Sequence, residues 1–337
     1  MNRRTPARFE SCTAVVMCMI LIFLASPGRA QSTPPGQSPL KGTPHLFGPG
    51  VISTPDQEAM ASFSPDGKTV YFCKYNPGWF HNTIVVSHRK GERWMTPEVA
   101  SFSGQWSDAS PYVTPDGSKL FFASNRPVDG SKTERDDGDL WYVERTASGA
   151  WGEPKHISGP VNSEGDENYP SVTKDGTLYF ASTRATEHFS AGQPHIYRSR
   201  LVNGEYSAPE LMPWTSAADD HMPTVAFDDS FMIFFSGGRG GLGGGDLFVS
   251  FHRADGTWSN PKNLGSPINS GDYEMAPRLS PDNHTLYFAS NRIDGPSTRT
   301  RRVNYHELEQ ELHAIQNGLN NIYEVDITDL RVLDDGK

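Results

Sequence analysis

The sequence predicts an all-β fold, a five-bladed β-propeller of four-stranded antiparallel blades with a short helical insertion in the last blade. Three observations predict it. First, a hairpin made of an extended arm, a turn of the Pro-Asp-Gly type and an apolar run is written five times. Its turn aspartates are Asp66, Asp116, Asp175, Asp228 and Asp282, spaced by 50, 59, 53 and 54 residues, and a period of this size marks a repeat architecture. Second, each hairpin is followed by a third apolar strand and then by an aromatic residue with a proline three residues later, which makes four strands per repeat, the content of a propeller blade. Third, the last repeat lacks its aromatic-x-x-Pro strand, while Leu46-Phe47-Gly48-Pro49 stands unclaimed before the first repeat and can supply it. A ring closed by its own N-terminal strand leaves no sheet edge open.

Taken in order, residues 1–30 do not belong to the fold. Arg3, Arg4 and Arg8 precede an apolar stretch from Thr13 to Ala25, and Gly28-Arg29-Ala30 offers small residues for cleavage. This is the grammar of a secretory signal peptide, and the stretch is short against the ~20 residues a membrane span needs. The mature protein is therefore expected in the periplasm or outside the cell, without a membrane span. Residues 31–44, rich in Ser, Pro, Gly and Gln, read as a flexible linker, and residues 45–337 as the propeller. Loss of four arginines and one glutamate with the signal takes the net charge from −10 to −13. An acidic surface of this kind argues against nucleic acid and anionic lipid as partners. Cys12 and Cys18 leave as well, so Cys73 remains alone in the apolar run of its strand and is expected as a core residue, with no internal disulfide.

The repeats come next. With 32 Gly and 26 Pro in 337 residues and few helix-periodic runs, turns outnumber helices throughout. The third strands fall at 83–86, 139–143, 195–197, 246–249 and 321–325; the aromatic and proline pairs are Trp94/Pro97, Trp151/Pro154, Tyr206/Pro209 and Trp258/Pro261. Proline cannot donate to a ladder, so this segment is expected as the edge strand. Second strands such as Met232-Ile233-Phe234-Phe235 are apolar at successive positions, as in a sheet covered on both faces. The last blade breaks the pattern with an insertion at 293–320. Leu308, Leu312, Ile315 and Leu319 at helical spacing predict a helix over 305–319 whose apolar stripe packs on the propeller or, in the sharper alternative, docks a partner, and Arg299, Arg301 and Arg302 are placed to answer an acidic rim.

The candidate site is that rim. Eight residues before each turn aspartate stands an acid, Glu58, Asp108, Glu167, Asp220 and Glu274, and nine to eleven after it stands an arginine in four copies, Arg126, Arg184, Arg239 and Arg292. The first copy has Asn76 there, with Lys74 nearby, so Glu58 is expected to lack a partner of its own. Since the turn lies midway, acid and arginine meet at the open end of the hairpin. Carboxylates converging on one axis repel unless matched by arginines, a cation or a cationic ligand. The rim thus reads as internal pairing, as a binding site for a protein, peptide or glycan with room for a divalent cation in the central channel, or as the acid and base of a carbohydrate-active enzyme. No catalytic residue is assigned: there is no Gly-x-Ser-x-Gly and no His-Glu-x-x-His, and the glycine run 237–245 lacks the ending of a phosphate loop. The expected product of these readings is a monomeric binding or scaffold module.

Ser-Pro-Asp-Gly-Lys-Thr-Val-Tyr-Phe at 64–72, Thr-Pro-Asp-Gly-Ser-Lys-Leu-Phe-Phe-Ala-Ser-Asn-Arg at 114–126 and Ser-Pro-Asp-Asn-His-Thr-Leu-Tyr-Phe-Ala-Ser-Asn-Arg at 280–292 resemble the WD40-like β-propeller repeat of TolB-type periplasmic proteins. The resemblance covers about residues 45–335. It implies an exported bacterial propeller that binds other macromolecules, though with five blades where TolB has six and without its separate N-terminal domain.

Overall fold

The computed structural model describes residues 40–334 apart from 77, 79, 80, 188 and 294–298. Residues 1–30, where the sequence leads one to expect a signal peptide, and most of the expected linker lie outside the described residues. The remainder is an all-β five-bladed propeller. In blade 1 the inner strand Gln57–Phe63 pairs with Thr69–Tyr75 and this with Asn82–Lys90; in blade 2 the order is Asp108–Val113, Lys119–Ser124, Asp139–Glu144 and Lys155–His156. Blade 3 runs Glu167–Val172, Leu178–Ser182, His195–Ser199 and Glu210–Leu211, and blade 4 runs Asp220–Val225, Phe231–Ser236, Asp246–Phe251 and Lys262–Asn263. Blade 5 consists of Glu274–Leu279, Thr285–Ser290 and Asn321–Asp326, and its outer strand is the N-terminal His45–Leu46, antiparallel to Glu324 and Tyr323. The inner strand of blade 1 packs on blades 5 and 2 alike, so the sheets form a ring.

Two local features differ from the sequence expectation. The aromatic residue of each aromatic-x-x-Pro segment pairs at the end of the third strand or just beyond it, Trp94 with Arg89, Trp151 with Arg145, Tyr206 with Leu201 and Trp258 with His252, while the outer strand itself begins one residue past the proline and is two residues long. Proline thus starts the edge strand rather than sitting in it, which spares the ladder a missing donor. The helix α1 spans Tyr305–Leu312 only and buries none of its residues; Leu312 is 58% exposed. Asn304 and Glu307 form a reciprocal capping box at its start, and Gln316 and Gly318 take positive φ beyond its end, which no helix continues through. Arg301 and Arg299 pair with Glu307 and Glu311 of the same helix, not with the rim.

The turns are built alike. In every copy the turn aspartate accepts from the backbone N–H two residues on (Lys68, Ser118, Thr177, Ser230 and His284), and the residue after it has positive φ. Gly67, Gly117 and Gly176 fill that position in three copies and Asp229 and Asn283 in two, the side chains that tolerate it best after glycine. At Gly117, φ is +70° and a Cβ would meet Pro65 at 3.0 Å. Gly117→Val is therefore expected to lower stability by at least ~1 kcal/mol, checked by urea denaturation; an unchanged midpoint would contradict the turn geometry.

The inner strands share a second device. Register slips between Ala59 and Ser62, Ala109 and Tyr112, Asn168 and Ser171, His221 and Thr224, and Met275 and Arg278. The first residue inside each slip, Met60, Ser110, Tyr169, Met222 or Ala276, has φ between 51° and 66°. These are β-bulges, which bend a strand and re-aim its side chains. Proline follows the bulged residue in four copies, where a missing donor would already interrupt the ladder. Ala61 in the first copy does the same without it, so the bulge belongs to the blade geometry. Cys73, fully buried in the second strand of blade 1, has its thiol pushed up to about 12 by burial.

Candidate functional site

Four of the acids head the inner strands, Glu58 is the second residue of its own, and all five are completely buried. In four blades the arginine closes over its own acid in one recurring arrangement. Arg126 donates to Asp108 at 2.6 Å, Arg184 to Glu167 at 3.2 Å, Arg239 to Asp220 at 2.9 and 2.6 Å, and Arg292 to Glu274 at 3.0 Å. A serine at the end of the second strand, Ser124, Ser182 or Ser290, donates to the same carboxylate. Each guanidinium also donates to the carbonyl six residues before the acid, that of Phe102, Val161, Trp214 or Ile268, and lies over the ring of Phe122, Phe180, Phe234 or Phe288. One side chain thus ties the loop entering a blade to the hairpin of that blade. Charge-assisted bonds in a dry setting are strong and directional, and the unit works as a clip holding the open ends of the sheet.

Blade 1 makes the clip differently and corrects the expectation that Glu58 stands unpaired. Its ladder keeps the register of the other blades, but Lys74 stands opposite Glu58 where Ser124, Ser182, Ser236 and Ser290 stand opposite their acids, and Nζ of Lys74 sits 3.1 Å from Glu58 and 2.7 Å from Asp56. Thr54 donates to Glu58 through both its backbone N–H and its hydroxyl, and Asn321 of blade 5 adds a bond at 3.2 Å. Burial nonetheless pushes the Glu58 carboxyl up, against the pull of Thr54 and Lys74, and does the same at Glu167. Glu58→Gln presents an NH2 to neighbours that are all donors, and is expected to cost ~1–3 kcal/mol. Because the folded state raises the carboxyl, the stability tied to it is present below the ordinary glutamate range and lost as pH rises through the raised value. The gap between wild type and E58Q, measured by urea melts from pH 4 to 7, is accordingly expected to narrow as pH rises.

The groups that the clips leave available lie beside them. The residue after each acid points to the opposite face of the strand: Ala59, Ala109, Asn168, His221 and Met275, the last four half-buried. Tyr169 follows Asn168, and its ring lies 6.0 Å from that of His221, linking blades 3 and 4. Before the acids of these two blades stand Asp166 and Asp219. Asp166 reaches solvent yet is desolvated by the surrounding loops and faces Asp137 and Asp139, so its carboxyl is raised even though the Gly138 N–H donates to it at 2.8 Å. Asp219 is also desolvated, but its contact with His221 Nδ1 at 3.0 Å outweighs this and holds its carboxyl below the usual range. His195, at the head of the third strand of blade 3, is 1% exposed, packs on Phe189 with ring centroids 4.0 Å apart, and has neither ring nitrogen hydrogen-bonded among the described residues. Burial lowers its pKa. Among the described residues no three His, Cys, Asp or Glu side chains are grouped to hold a metal ion.

Sequence reasoning found the clips and missed this blade 3–4 rim. The signal was there in the comparison of the copies: the acid position is uniform, whereas the position after it reads Ala, Ala, Asn, His, Met and the position before it Gln, Ser, Asp, Asp, Tyr. A place that repeats serves every blade. A place that varies is free for something else.

No family model matches the chain, and no curated protein matches it. Among solved structures it is similar to the α-L-arabinofuranosidase from Lactobacillus brevis, with a TM-score of 0.51 and 12% identity over 82% of this chain and 91% of that one. It is also similar to the α-L-arabinofuranosidase from Podospora anserina (TM-score 0.46, 10% identity, 84% and 96% covered) and to prolyl oligopeptidase B from Galerina marginata (0.40, 11%, 70% and 30%). What the chain shares with the Lactobacillus brevis enzyme, at this identity, is the fold: a β-propeller.

Proposed function

We propose that the chain is an exported, monomeric binding module that takes a glycan at the rim of the channel over blades 3 and 4, with a protein or peptide as the other ligand class to be tested. The observation that supports this most is the division of labour among repeat positions. The five acids are neutralised inside the blades, while Asn168, Tyr169 and His221 beside them are half-exposed and differ from copy to copy. A phenol ring offers an apolar face to the C–H groups of a sugar, and an amide and an imidazole reach its hydroxyls. The TolB-type resemblance of the repeats supports export and macromolecular binding, and the α-L-arabinofuranosidase from Lactobacillus brevis, whose fold the chain shares, makes α-L-arabinofuranosides the first probes.

A second reading, turnover of the bound carbohydrate, is favoured by Asp166 and Asp219. They occupy equivalent places in adjacent blades and their carboxyls are pushed in opposite directions, the condition under which two acids take different roles. The five clip acids do not serve this reading, since each is closed over by a cation. Both readings meet in one experiment: a glycan and peptide array followed by calorimetry on the hit, with product analysis of the same mixture. Tyr169→Ala and His221→Ala are expected to weaken binding at least tenfold without loss of fold; unchanged affinity would reject the rim. Product formation that disappears in Asp166→Asn and Asp219→Asn would replace the binding reading by the enzymatic one.

A further inference from the structure

Below the rim, inside the ring of inner strands, sits a charge that the clips do not explain. Four residues before each turn aspartate, just past the bulge, the inner strands place Ser62, Tyr112, Ser171, Thr224 and Arg278. All five are buried and all five are polar, so they form one polar layer within the channel. Three of them have internal tasks. Ser62 accepts from the Val113 N–H and Ser171 from the Val225 N–H, each at 2.9 Å, and the Tyr112 hydroxyl donates to the Val172 carbonyl at 2.7 Å. The two in the neighbouring blades 4 and 5 are left over. The Thr224 hydroxyl has no partner among the described residues, and neither do Nε and Nη2 of Arg278.

Arg278 is 1% exposed and, among the described residues, bonds through Nη1 alone, to the carbonyls of Pro223 at 3.4 Å and Pro277 at 3.2 Å. No carboxylate among the described residues is paired with it: the ionisable groups that act on it are Tyr112, Tyr169 and Cys73. Burial lowers the guanidinium to about 10, which still leaves it a cation at neutral pH. A buried cation without a counter-charge is strongly unfavourable, and each of the four clip arginines has its carboxylate. The missing partner must be an anion, and with so little of Arg278 reachable it must be small.

We propose that the channel binds a single monovalent anion of the halide class between the Nε and Nη2 groups of Arg278 and the hydroxyl of Thr224. The anion neutralises the guanidinium and accepts the three donors, and it joins blades 4 and 5 below the rim as the arginine clips do above. It is a structural ion of the channel, independent of whether the rim binds a glycan.

A ligand that binds the folded state alone stabilises it in proportion to the logarithm of its concentration. Thermal melts of the full chain in chloride or bromide, against gluconate at matched ionic strength, are expected to show a midpoint that climbs by several degrees, linearly in the logarithm of halide concentration once the site is filled. Crystals grown in bromide are expected to show one anomalous peak within hydrogen-bonding distance of the Arg278 guanidinium. Arg278→Met removes both the charge and the need for the ion, so its melting is expected to be the same in all three salts. Should that variant fail to fold, Thr224→Val keeps the test alive, with the halide concentration at which the midpoint begins to climb expected to rise several-fold. Superimposable wild-type curves, a halide response that survives in Arg278→Met, or a peak of water alone at the guanidinium would overturn the proposal.

Discussion

Asp108→Ala is expected to destabilise the protein by ~3–5 kcal/mol, the cost of breaking a buried ion pair on one side. The carboxylate accepts from Nη2 of Arg126 at 2.6 Å and from the Ser124 hydroxyl at 2.7 Å, and Arg126 has little access to water, its residue being 7% exposed. In the variant the guanidinium keeps the Phe102 carbonyl and the faces of Phe122 and Trp141, which are poor substitutes for a full negative charge. The urea midpoint should fall with little change in slope, the mark of a stability change rather than a change in compactness. The double variant Asp108→Ala, Arg126→Met should recover a substantial part of the loss, because removing both charges costs far less than stranding one. A double variant as unstable as the single one would mean that Arg126 acts by packing and not by charge, and the clip would lose its electrostatic basis.

The same residues show what the sequence could and could not convey. The turn aspartates, the acids and the arginines were legible because they repeat, and a repeat is a local pattern that survives without any knowledge of the contacts. That Glu58 is paired was not legible at the arginine offset. The first blade keeps the register but carries Lys74 where the other blades have serine, so that the cation comes from inside the second strand rather than from the loop beyond it. The insertion misled for a different reason. Its leucines keep a helical period past 312, but Asn304 and Glu307 cap the helix at its start and Gln316 and Gly318 turn the backbone left-handed, so backbone conformation overrode periodicity. Arg278 carried a signal that went unused, a charge at a position where the other four copies have Ser, Tyr, Ser and Thr.

The second large effect concerns closure of the ring. Removing residues 40–53 should abolish cooperative folding or drive aggregation, and the reason is packing as much as pairing. The strand His45–Leu46 contributes only a short ladder to blade 5, whereas the residues directly after it are buried between blades. Phe47 is 5% exposed and meets Trp94, Tyr287 and Phe63 with ring centroids 5.6, 4.9 and 5.6 Å apart. Ile52 is fully buried, and Ser53 exchanges two hydrogen bonds with the backbone of Ile322 at 2.8 and 3.1 Å. Deleting a buried Phe and a buried Ile costs ~3–5 and ~2–5 kcal/mol respectively, which together are comparable to the whole stability of an ordinary domain, and the exposed third strand of blade 5 then offers a free edge. Phe47→Ala isolates the packing contribution and is expected to lower stability by ~3–5 kcal/mol while leaving the protein monomeric. If it melts like the wild type while the truncated chain aggregates, the edge alone is what the N-terminal segment protects; if both melt like the wild type, this segment does not close the ring.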